Sequence, residues 1–355
     1  SRGLGDVYKR QVLMKPLLLW MNVPSEIFHN AYWYMAIVNA GLIVCCYYNL
    51  LASIIRALGD SKTPLYFLIF ASILNIFLAL LFIIKFHMGV PGSAIAVVLS
   101  QAVSAVMCVW YVKKKFPVLH LKKKDWIFKK EERKQDIDFA VEHLKVGIPM
   151  GIQFSILGLG VLIIQSVCNT FGPNVIAAFT AALRIEQIAT LPMISFGIAL
   201  AAYVAQNYGA KKFSRIRAGV SKTSLINIGL SLFMAFIMHM WGSDIVRIFI
   251  GDANEEIIKI ARSYLLISTM FYFFLGQIFI FRNALQGMGQ TLIPLSASTA
   301  ELLVRSYAAV YLAVKYSYFG IFYAGPIAWV TASLVVAIGY FSRIRKIMKQ
   351  AYKHV

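Results

Sequence analysis

Residues 52–65 read ASIIRALGDSKTPL, and residues 281–294 read FRNALQGMGQTLIP. A shift of 230 residues lays the run Ile55-Arg56-Ala57-Leu58-Gly59 on Leu285-Gln286-Gly287-Met288-Gly289, and Pro64-Leu65 on Pro294-Leu295. Upstream, Tyr34 meets Tyr264; downstream, one inserted residue later, Gly89-Val90 meets Gly320-Ile321. Each copy reads helix, small-residue turn with Gly and Pro, helix, glycine, helix. Self-similarity at a fixed offset marks a repeated structural unit.

The helices around these turns have the length and composition of membrane spans. A bilayer core needs about 20 mainly apolar residues per helix. Nine stretches qualify: 29–52, 63–84, 91–112, 144–170, 176–206, 222–242, 259–282, 292–314 and 320–342. They are too long for strands and lack the alternation of outer-membrane barrels. The expected fold class is therefore an all-α, polytopic helical bundle.

Lys and Arg in the loops set the orientation. Loops 53–62, 113–143, 207–221 and 283–291 with the tail 343–355 hold 2, 10, 4, 0 and 5 basic residues. The alternate loops hold only Lys85, Arg247 and Lys315. The basic set is expected in the cytoplasm, together with the C-terminus, in a prokaryotic inner membrane. Both repeat turns fall in that set, so the repeat is parallel, built about an axis along the membrane normal.

The repeat also indicates what is missing. The second copy starts near residue 140, and Pro294 lies deep within it. Pro64 at equal depth would place the start of the first copy about 90 residues before residue 1. The expectation is two six-helix lobes, the first lacking about three helices here. Residues 12–112 would be the partial N-terminal lobe, 113–143 a basic cytoplasmic linker, and 144–355 the complete C-terminal lobe. Residues 1–11 (SRGLGDVYKRQ) do not begin with Met and have no structural period, so they read as a leader foreign to the fold. Residues 12–23 read as the outer end of a helix.

Composition narrows the function classes. Of 355 residues, 59% are hydrophobic and 14% charged, against about 45–50% and 25% in soluble domains. That excludes a soluble enzyme and a disordered chain. The net charge of +20 is mostly the loop bias above, a surface for cytoplasmic water and anionic lipid rather than for nucleic acid. HExxH, P-loop and GxSxG signatures are absent. The six His are scattered, and Cys45, Cys46, Cys108 and Cys168 have no metal-ligand spacing. No enzyme activity, cofactor or metal is expected.

Six stretches resemble the multidrug and toxic compound extrusion (MATE) family of efflux antiporters. They are ASIIRALGDSKTPL (52–65), MGVPGSAIAVVLSQ (88–101), GIPMGIQFS (147–155), ALRIEQIA (182–189), AQNYGAKKFSRIR (205–217) and FRNALQGMGQTLIP (281–294). Together they run along nearly all of residues 12–345. The resemblance implies two six-helix lobes, a central cavity and cation-coupled drug export. Members of the family often carry acids in places where this chain does not. Stretch 144–170 has only Gln153, Gln165 and Asn169, and an Asn-x3-Asp pattern is represented by Asn75 followed by Ala79.

Charges deep in a span are expensive and mark functional candidates. Glu301 and Arg305 are four residues apart and share a helix face, with Glu on the favourable N-terminal side. Either Glu301 binds a proton or cation when the pair opens, or the pair is permanent and fixes helix packing. Their first-copy equivalents are Ala71 and Asn75, so the repeat does not require these charges. Arg184 and Glu186 lie about 200° apart around one helix and cannot face one another. Glu186 is a second coupling candidate, and Arg184 needs a partner on another helix or reaches the interface by its stem. Pro192 interrupts the same span as a kink or hinge. Gly147-x3-Gly151 and Ala178-x3-Ala182 read as close-packing positions.

The function expected from these readings is a polyspecific antiporter of H+ or Na+ against small amphiphilic, often cationic, organic compounds. Its partners would be the lipid bilayer and those substrates, and it would act as a monomer. The alternative is a lipid-linked saccharide flippase of the same superfamily, which would need a cavity richer in arginine.

Overall fold

The computed structural model describes residues 25–119, 133–251 and 254–352. The expected leader and the stub at 12–23 lie outside the described residues, as does the middle of the expected linker. Among the described residues the structure is all helix, with no strand. The chain divides into two compact units at Lys129–Lys130.

The first unit contains α1 (Ser25–Ala57), α2 (Lys62–Leu80, extended by a π-helical turn at Leu81–Lys85) and α3 (Gly89–Lys115), with a 3-10 turn at Pro117–Leu119. Tyr48, Leu51 and Ile55 of α1 pack with Ala105, Cys108 and Val112 of α3. Gly41 lets the two helices approach, since a Cβ there would lie 2.3 Å from a Val98 methyl.

The second unit contains α4 (Arg133–Cys168), α5 (Pro173–Gly209), α6 (Phe213–Ile250), α7 (Glu255–Met270), α8 (Tyr272–Gly287), α9 (Leu292–Tyr316) and α10 (Tyr318–Tyr352). One core gathers Ala178, Phe179, Tyr264, Phe322 and Trp329; another gathers Leu200, Val204, Ile216, Leu285 and Tyr340. Exposed Phe154, Ile248, Leu303 and Val314 leave apolar surface of the kind that faces lipid.

The two turns that opened the sequence reading fold alike. Gly59 has φ +94° and Gly289 φ +73°. In the first turn, Gly59 N–H donates to the Arg56 carbonyl and Asp60 N–H to that of Ile55. In the second, Gly289 N–H donates to Gln286 and Gln290 N–H to Leu285. This is the same Schellman closure, with glycine supplying the left-handed residue. The repeat is thus present in backbone hydrogen bonds as well as in letters.

Two expectations need correction. Among the described residues seven helices are long and apolar enough to span a membrane, or eight if α7 and α8 count as one bent span, rather than nine. The eighth stretch, 292–314, does form a helix, but Glu301 and Arg305 make it less apolar. Stretch 259–282 is not one rod: α7 and α8 meet at 53° across Phe271. The Thr269 hydroxyl donates to the Leu266 carbonyl beside that break, a side-chain bond of the kind that bends helices. The described ends of the expected linker are helical. Lys113–Lys115 end α3, and α4 already begins at Arg133.

Candidate functional site

A cavity of ≈ 270 Å³ lies within the second unit, reached by residues of α4, α5, α7, α8, α9 and α10. Its charged lining consists of Glu186, Arg282, Glu301 and Arg305, set among Phe179, Tyr264, Phe279 and Trp329. Each charge is placed by helix geometry. Glu301 and Arg305 occupy successive turns of α9, and Arg305 Nη2 donates to Glu301 Oε1 at 2.5 Å. From α8, Arg282 Nη2 approaches the other oxygen, Oε2, at 3.5 Å. Glu301 is therefore held between two guanidinium groups on two helices.

Glu186 reaches the cavity from α5 and is half-buried. The Tyr264 hydroxyl of α7 donates to its Oε2 at 2.9 Å. Tyr264 is itself fixed edge-on by Phe179 and Phe322, at centroid distances of 5.2 and 5.4 Å. The arrangement can hold a proton or cation at either acid and present aromatic faces to an organic molecule. No group of three or more His, Cys, Asp or Glu able to hold a metal occurs among the described residues.

Other candidates fall elsewhere. Arg184 is exposed, lines no part of this cavity and makes no ion pair among the described residues. With Glu186 turned inward, a residue two positions away has to point outward. Gln153 is buried, and its Oε1 accepts from Gln286 Nε2 at 3.1 Å, away from the cavity lining. Asn75 lies in the first unit, in a separate ≈ 330 Å³ pocket with Ser72, Ser100 and Gln101. The Asn75 amide nitrogen and the Gln101 carbonyl oxygen are buried there without partners among the described residues. Pro192 sits inside the continuous 37-residue α5. Ala178 and Ala182 are buried as close-packing positions. Gly147 and Gly151 are exposed, and nothing lies within 4 Å of a Cβ built on either.

Arg282 was not among the sequence candidates, because it borders the cytoplasmic turn and reads as a span end. The repeat contains the missing signal. Its first-copy equivalent is Ala52, so Arg282, like Glu301 and Arg305, is a charge only the second copy has. Tyr264 gave no such sign, since Tyr34 matches it in the first copy.

The sequence profile of the MatE family matches residues 11–81 and 149–312. The chain belongs to the MatE family. It is similar to the probable multidrug resistance protein YpnP of Bacillus subtilis, 31% identical over 79% of this chain and 60% of that protein. It is also similar to YoeA of the same organism, another probable multidrug resistance protein, at 25% over 93% and 71%. The probable multidrug resistance protein NorM of Thermotoga maritima is 23% identical over 85% and 64%. The chain thus spans about three-fifths to seven-tenths of the length of these curated relatives. Among solved structures, a MATE protein in the bent conformation superposes with a TM-score of 0.85 at 20% identity, over 99% of this chain and 77% of that one. An outward-facing multidrug resistance MATE family transporter of the MOP superfamily gives 0.85 at 22%, over 97% and 76%. MatE membership and these superpositions agree on a multi-pass helical membrane fold.

Proposed function

We propose that this MatE protein is a cation-coupled multidrug efflux antiporter. It exports amphiphilic, often cationic, organic compounds by alternating access in exchange for H+ or Na+. The observation that carries the reading is the pair of acids, Glu186 and Glu301, opening on one aromatic-lined cavity. Intramembrane carboxylates in such a place are suited to bind the coupling ion, and apolar walls read substrate shape loosely. The multidrug resistance names of the relatives support the same function. The protein acts as a monomer in the inner membrane, with its C-terminus in the cytoplasm, where the basic loops also lie.

The flippase reading calls for more arginine. Arg184 leaves the cavity set and Arg282 enters it, so two arginines remain and the efflux reading stays ahead. The test is gradient-driven transport of a fluorescent organic cation in proteoliposomes. Glu186→Gln or Glu301→Gln is expected to abolish it. Undiminished transport by both variants would overturn the assignment.

A further inference from the structure

The charge around Glu301 is unbalanced. Glu301 is 5% exposed, and the arginines on either side, Arg282 and Arg305, are 8% and 9% exposed. One carboxylate directly faces two guanidinium groups, and the cavity's second acid, Glu186, acts on Arg305 only through space. Among the described residues each arginine makes one hydrogen bond, to Glu301. The Nε of each is buried without a partner among the described residues, and most of each donor fork is unused there. The other acid lining the cavity, Glu186, is engaged by the Tyr264 hydroxyl. It forms no ion pair with either arginine among the described residues. A buried guanidinium whose donors lack partners is costly until an acceptor pairs with it.

We propose that Arg282 and Arg305 form a subsite for an anionic oxygen group, phosphate or carboxylate, of an amphiphilic substrate. Guanidinium forks fit such groups in bidentate fashion. The substrate's apolar part lies against Ile278, Phe279 and Trp329, which line the same cavity. Glu301 occupies the two arginines when the subsite is empty and is the group an incoming anion displaces. The inference rests on the reading of this cavity as a substrate chamber and adds anionic amphiphiles to the cationic ones that its acids suit. A membrane lipid headgroup and a soluble amphiphile would both present this chemistry.

The test is equilibrium binding to the protein in phosphatidylcholine nanodiscs, read by the fluorescence of Trp329 with Trp329→Phe as the blank. The probes are dodecyl phosphate and dodecanol, which share a tail. Dodecyl phosphate is expected to bind at least about 10-fold more tightly. Arg282→Gln and Arg305→Gln should each reduce that preference, and Glu301→Gln should raise it by removing the internal competitor. A gain of affinity in Glu301→Gln cannot come from misfolding, and the comparison of probes in the wild-type protein needs no variant at all. Equal affinity for the two probes, or a preference unchanged in both arginine variants, overturns the proposal. Phosphatidylglycerol in the nanodisc weakens dodecyl phosphate binding if a lipid fills the subsite. Millimolar inorganic phosphate displaces it if a soluble anion does, and displacement by neither overturns the proposal. No ion gradient enters this experiment, so failure of coupling and failure of anion binding are read separately.

Discussion

Arg305 and Glu301 stand one turn apart on α9, and Nη2 of the first meets Oε1 of the second at 2.5 Å. The pair is buried, and removing one partner leaves the other's charge uncompensated. Glu301→Ala is expected to destabilise by about 3–5 kcal/mol. Removing Arg305 as well should recover part of that loss, while Arg282 still lacks its carboxylate. Unfolding in mixed micelles measures the double-mutant cycle, and strictly additive losses would show that the two side chains are not coupled.

Tyr264 isolates the role of one hydroxyl. Tyr264→Phe keeps the edge contacts to Phe179 and Phe322 and removes only the donor to Glu186. A hydrogen bond to a charged group contributes about 1.5–3 kcal/mol, so a stability loss of that order is expected, with a larger loss for Tyr264→Ala. If Glu186 takes part in coupling, Tyr264→Phe also changes the pH profile of transport. A variant with wild-type stability and an unchanged profile would remove Tyr264 from the site.

Asp60 gives a pH prediction outside the spans. It accepts hydrogen bonds from the Tyr111 hydroxyl and from the backbone N–H and hydroxyl of Thr63, at 3.1 and 2.8 Å for the latter two. These bonds, the Tyr111 hydroxyl first, hold its carboxyl well below the usual carboxylate range. A depressed folded-state pKa means stability that is present above the unfolded value of about 3.9 and lost as pH falls below it. Wild type should therefore exceed Asp60→Asn in thermal stability at pH 7. The gap should narrow progressively as pH drops below about 4. A gap independent of pH in that window would contradict the assignment.

The fold was legible where one physical rule dominates. Apolar length located the helices, and Gly59 and Gly289 marked turns that only a left-handed residue closes. The break at Phe271 was hidden because neither proline nor glycine stands there. Pro192 lies inside α5, which runs on from Pro173 to Gly209. In the site, the i,i+4 spacing foretold the Glu301–Arg305 contact, and the two-residue spacing correctly kept Arg184 away from Glu186. The third member, Arg282, comes from another helix, and such a meeting depends on packing that a linear pattern does not encode. Tyr264 was hidden for the same reason: its partner Glu186 lies 78 residues away.

Gly89 and Gly320 occupy one position of the repeat but require glycine for different reasons. Gly89 has φ +56°, with nothing within 4 Å of a built Cβ. Gly320 lies near the start of α10, where a Cβ would stand 2.1 Å from the Leu312 carbonyl oxygen of α9. Backbone cannot move aside as a flexible side chain can. Gly89→Ala is therefore expected to cost about 1–2 kcal/mol of conformational strain, and Gly320→Ala about 3 kcal/mol through overpacking. Asparagine separates the two causes. It tolerates the left-handed region, so Gly89→Asn should be milder than Gly89→Ala, whereas Gly320→Asn should be worse than Gly320→Ala. Unfolding of the four variants in mixed micelles decides the matter, and the same order of Ala and Asn at both positions would sink the distinction.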